Sequence, residues 1–84
     1  ALSREDVRHA FEVMASLEGL AGELAAGRVT DADLAELGML QGDLEKAHRR
    51  RDLPAYYRVN RAIHDRITAI AANPVLAQTC RTLN

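Results

Sequence analysis

The 84-residue chain is long enough for one small domain, which buries roughly 60% of its unfolded surface on folding. At 48% hydrophobic but only 4% aromatic, its core must be built from Leu, Ile, Val and Ala, and 11 basic residues against 12 acidic ones give a net charge of -1. That balance excludes disorder and gives no overall electrostatic footprint for nucleic acid. The lone cysteine, Cys80, excludes an internal disulfide and fits a reducing compartment.

No apolar run reaches the roughly 18 residues of a membrane-spanning helix. The start, ALSRED, lacks the basic head and apolar centre of a signal peptide. The expectation is therefore a cytoplasmic domain.

The first element begins at Ser3, an N-cap with acids in the following turn. Val7, Phe11, Met14, Leu17, Ala21, Leu24 and Ala25 recur at helical spacing. Ala10 and Leu20 widen this face to about half the circumference, which predicts contact with more than one neighbour. Gly27 is placed at C', where a helix commonly stops.

Thr30 opens the second helix with a box-like Thr-Asp-Ala-Asp. Its stripe is Leu34, Leu37, Leu40, Leu44 and Ala47, with Met39 off it, and the helix runs to about Arg50. The basic run HRRRD at 48–52 reads as a solvated helix end complementing the dipole. A contact with phosphate or a partner is the alternative.

Asp52 is the expected N-cap of the third helix, with Pro54 in its first turn. Tyr56, Val59, Ile63, Ile67 and Ile70 make the stripe, and the helix is predicted to end near Asn73. Asn73-Pro74 then starts a fourth helix, with Val75, Leu76, Cys80 and Leu83 as its apolar residues. No segment alternates as a strand does. The fold class is all-α, an antiparallel helical bundle with short loops.

Within DLPAYYRVNRAIHDRI, residues 52–67, Asn60 and His64 stand four apart on one helical face. They border the apolar stripe. A carboxamide oxygen and an imidazole nitrogen can both ligate a divalent ion, but two ligands only anchor a site. The alternative is that they satisfy each other or nearby backbone at a helix interface. His48, on the apolar side of the second helix, is a further candidate, and His9 a weaker one. Cys80 reads as a small hydrophobe, and no nucleophile elbow, triad or phosphate loop occurs. An enzyme is not expected.

Three stretches together resemble the ligand-binding C-terminal (FCD) domain of the GntR superfamily, in its FadR-like branch. They are HAFEVMASLEGLAGELAA at 9–26, TDADLAEL at 30–37 and NRAIHDRITAIAANPVL at 60–76. The resemblance covers nearly all of the chain and about the first half of such a domain. It implies the effector-sensing, homodimerising helical bundle of a DNA-binding transcription regulator. DNA would be bound through a winged helix-turn-helix that precedes the bundle and does not occur within residues 1–84. The implied effector is a small organic acid.

The resemblance also implies a divalent metal, zinc or nickel, with Asn60 and His64 as the first two ligands. Two further histidines would come from helices beyond residue 84, leaving an incomplete site here. Met14 stands where the family often has an Arg, Ile63 where a Phe precedes the histidine, and Gly19 where a Pro is common. The alternative function is a structural helical dimerisation module without metal or ligand.

Overall fold

The computed structural model describes residues 3–83. These form four helices and no strand: α1 (Arg4–Ala26), α2 (Asp31–Arg49), α3 (Leu53–Ala71) and α4 (Pro74–Leu83). The all-α expectation holds, and each helix starts for the reason its sequence supplies.

Ser3 Oγ accepts from Asp6 N at 3.0 Å, and Asp6 Oδ2 accepts from Ser3 N at 3.1 Å. Thr30 and Asp33 make the same reciprocal pair at 3.1 Å each. Asp thus closes both capping boxes where Glu is the usual partner. Asp52 Oδ1 accepts from Ala55 N at 3.1 Å, and Asn73 Oδ1 from Leu76 N at 3.0 Å. In both cases the cap precedes a proline whose missing N–H is harmless at a helix start.

The ends differ from expectation. Gly27 is not left-handed, with φ -83°. Instead Ala25 O accepts from both Arg28 N at 3.0 Å and Val29 N at 2.8 Å, which closes the turn. The left-handed positions are Arg51 (φ 55°) and Ala72 (φ 52°), neither of them glycine. Helix α3 therefore stops at Ala71, two residues before the predicted Asn73.

A Cβ in the left-handed region costs about 1 kcal/mol or more, and glycine avoids it. Ala72 is exposed, so Ala72→Gly is expected to raise stability by about 0.5–1 kcal/mol even after its extra unfolded-state entropy. Thermal unfolding reads the shift, and a lower Tm would rule out the strain.

Helix α3 is the hub: α1, α2 and α4 all pack on it, α4 also packs on α1, and α2 packs on α3 alone. The core sits where the C-terminal halves of α1 and α3 meet the start of α4. Ala21, Ala25, Ile70, Ala71 and Leu76 are buried there, with Leu17, Leu24, Leu37 and Ile67 packed round them. Ala71 is fully enclosed at 0% exposure. Its small side chain lets three elements approach at one point.

Away from that point the molecule opens into a slab of 39 × 33 × 15 Å. The radius of gyration is 14.4 Å, against about 12 Å for a compact domain of this length. Accordingly, the predicted stripes are only partly buried. Val7, Phe11 and Leu20 of α1, Leu34 of α2, and Val75 and Leu83 of α4 are exposed.

Two arginines tie the open parts together. Arg28, in the α1–α2 turn, donates to the carbonyl oxygen of Ala71 at the end of α3. That carbonyl belongs to the last turn, where no intrahelical partner is available. Arg66 of α3 holds α2: its Nη2 donates to Asp33 Oδ1 at 2.6 Å. Its Nε lies 2.9 Å from Glu36 Oε2, but this N–H makes no hydrogen bond. The second contact is coulombic only.

Asp33 thereby joins two structures, the cap of α2 and the clasp to α3. Its carboxyl is held below the ordinary value of 3.8, first by the Thr30 backbone N–H, then by the Thr30 hydroxyl and by Arg66. A depressed folded pKa means that this stabilisation is present above about pH 4 and is lost as pH falls through the folded value. Asp33→Asn is expected to lower stability at neutral pH and to flatten its decline in acid. Urea midpoints at pH 6 and pH 3 measure both. An unchanged acid slope would exclude Asp33 as a contributor.

Candidate functional site

An open groove of about 860 Å³ lies between α3 and α4, with Glu18 of α1 at its side. Its α3 wall carries Tyr57, Asn60, Arg61, His64 and Thr68, and its α4 wall carries Cys80 and Arg81. The spacing 57, 60, 61, 64, 68 is one face of a helix. This face adjoins the apolar stripe of Val59, Ile63, Ile67 and Ile70, so packing of the stripe aims the polar face along the groove.

Asn60 and His64 both lie on this wall, with Asn60 half-buried and His64 exposed. The His64 carbonyl accepts from Thr68 Oγ1 at 2.9 Å, which ties Thr68 back to the helix. Asp65 is not spare charge. Its Oδ1 lies 3.4 Å from Arg61 Nε in an exposed i,i+4 pair, an interaction worth little in water. Arg81 Nη2 donates to Gln78 Oε1 at 2.8 Å, a neutral partner, and among the described residues it makes no ion pair. The groove thus carries Arg61 and Arg81 on two helices, set against the carboxylates of Asp65 and Glu18, with amide and hydroxyl groups between them.

The metal expectation is corrected here. Among the described residues, no group of three or more His, Cys, Asp or Glu side chains is placed to hold an ion. His64 therefore belongs to no such group, although Glu18 of α1 and Cys80 of α4 line the same groove. Two neutral ligands on one turn do not fit zinc or nickel, which take four or more donors. The described residues therefore form no zinc or nickel centre, and Asn60 and His64 are polar lining of the groove.

His48 is also displaced from its predicted place. It is exposed at the end of α2, its ring centroid 6.3 Å from that of Tyr56. It faces neither the groove nor the core. The groove also brings Tyr57, Arg61 and Arg81 beside Asn60 and His64, which the metal-ligand pattern does not anticipate. Their signal was available for α3, since 57 and 61 continue the 60–64 face by one turn. For Arg81 there is none, because only the packing of α4 on α1 and α3 sets it on the groove.

The FCD domain family matches residues 9–84, and the chain belongs to that family. It is accordingly an effector-binding regulatory module and not an enzyme. No curated protein and no solved structure gives a significant match. Among the described residues, no helix is long and apolar enough to cross a membrane.

Proposed function

We propose that residues 1–84 form a single helical domain that pairs with a second copy of itself. It would serve as the dimerisation and effector-sensing module of a cytoplasmic GntR-type transcription regulator, within the FadR-like branch. Pairing is the primary reading, and one observation carries it. The accessible surface is 6307 Å², whereas a compact monomer of this mass exposes roughly 4,900 Å².

The excess is roughly 1,400 Å² per chain. Covering it on both copies of a pair makes an interface of the size and apolar character of obligate homodimers, about 2,000–5,000 Å² in total. The α1 stripe supplies the apolar part. Ala21 and Ala25 are buried in the core, and Phe11 and Val7, further along the same face, are exposed. A stripe that outruns its intramolecular partners needs an external one.

Sedimentation equilibrium tests this. A dimer mass at micromolar concentration is expected. A monomer mass up to about 100 μM, a Kd weaker than about -5.5 kcal/mol, would rule out a second copy as the occupant.

The groove favours a second component of the function, reception of a small organic acid. Arg61 and Arg81 would take its carboxylates, with Asn60, His64 and Thr68 bonding its remaining oxygens. Operator DNA would be bound by a separate domain. An effector that binds one arrangement of the pair better than another shifts that domain's affinity by linkage. Calorimetry with a panel of hydroxy and dicarboxylic acids, with chelator present, reads this directly. Binding that required added metal would contradict it.

A further inference from the structure

The turn between α2 and α3 carries charge that the fold does not use. Between residues 46 and 58 stand Lys46, Arg49, Arg50, Arg51 and Arg58, five cations against the single carboxylate Asp52. All five are exposed. Arg8, Arg61 and Arg66 each lie within 4.0 Å of a carboxylate, but among the described residues none of these five does. Asp52 is already engaged as the cap of α3.

A solvated helix end explains part of this pattern only. Lys46 and Arg49 lie in the last turn of α2, where the dipole favours cations. Arg51 lies beyond that turn, and Arg58 sits in the N-terminal half of α3, where the dipole gives a cation nothing. Moreover, α1 and α2 place two acidic residues each in their first turns and α3 places none. The start of α3 thus adds no carboxylate to the turn beyond its cap, Asp52.

The turn is also fixed in shape. Arg50 N donates to Lys46 O at 3.0 Å, Arg51 N to His48 O at 3.1 Å and Asp52 N to Ala47 O at 3.0 Å. Ala47 is buried beneath it, and the left-handed Arg51 reverses the chain. We infer that this rigid basic turn is a sequence-independent docking surface for the phosphate backbone of duplex nucleic acid.

Three arguments select that partner. Four of the five cations are arginine, whose planar fork bonds phosphate oxygens in pairs. A turn held by backbone hydrogen bonds matches the fixed phosphate lattice of a duplex; fluid lipid headgroups require no such fixing. The net charge of -1 does not oppose contact, because at moderate salt a phosphate feels mainly the charges within a Debye length of about 10 Å, and around the turn the cations outnumber Glu45 and Asp52.

The test is fluorescence anisotropy of a labelled duplex of arbitrary sequence titrated with the full chain at several salt concentrations. Arg49→Gln/Arg50→Gln/Arg51→Gln and the corresponding triple lysine variant are run beside it. These exposed positions leave the core intact, which far-UV circular dichroism checks.

Weak binding is expected that falls by about 50-fold when salt is raised threefold, the slope for about four phosphate contacts. The glutamine variant should lose at least about tenfold at low salt and most of the slope, since three charges are gone. The lysine variant should keep the slope. No binding at low salt, equal binding by the glutamine variant, or binding to phosphatidylglycerol vesicles but not to the duplex would each overturn the proposal. It stands apart from the pairing reading, because a monomer can bind the duplex and a dimer can fail to.

Discussion

Leu76→Ala is expected to cost about 2–5 kcal/mol of folding stability. Leu76 is 4% exposed and joins α4 to the only point where α1, α3 and α4 meet. A domain of this length has roughly 4–13 kcal/mol in all. A loss of about 3 kcal/mol would lower Tm by roughly 10–25 °C. The neighbouring Val75 is the internal control. It is 76% exposed, so Val75→Ala should stay within about 0.5 kcal/mol. Thermal melts of both variants at one low protein concentration decide the matter. Equal effects would mean that α4 is not docked through Leu76.

The second large effect is on association. Phe11 is 63% exposed on the α1 stripe and is the chain's one phenylalanine. In a two-fold pair it would be buried twice, as an aromatic anchor of the kind that dominates interface energetics. Phe11→Glu removes both anchors and places two uncompensated charges in an apolar contact. The dimer constant should weaken by at least about 4 kcal/mol, close to a thousandfold. Because Phe11 leaves the core untouched, the helical content of the monomer should remain that of the parent. A dimer of unchanged strength would place the interface elsewhere.

The helices were legible because each start is a local event. Ser3, Thr30, Asp52 and Asn73 each bond a backbone N–H three residues on, and that chemistry is written within four residues of sequence. The stops were less so. Ala72 takes the left-handed conformation without being glycine, and Gly27 declines it. Tertiary contacts there outweigh propensity, with Arg28 bonded to Ala71 and the core closing over Ala71.

Periodicity found the apolar stripes but gave every position on them equal weight. Only packing separates Ala21, which is buried, from Phe11, which is not. The Arg66 clasp on Asp33 and Glu36 joins residues about thirty apart in sequence, and no local pattern announces it. The same limit applies to the site. Asn60 and His64 were found because spacing on one helix is visible in sequence. Whether further ligands join them depends on other helices, and among the described residues no group of three or more His, Cys, Asp or Glu forms. Arg81 reaches the groove for the converse reason, through packing alone.

The claim that a second copy covers the N-terminal half of α1 is tested most directly by an isotope-filtered NOE experiment on mixed labelled and unlabelled chains. The Phe11 ring and the Val7 methyls are the reporters. Pairing through α1 predicts NOEs from the labelled copy to both reporters of the unlabelled one. A dimer whose intermolecular NOEs miss both, or a mixture with none at all, would contradict it.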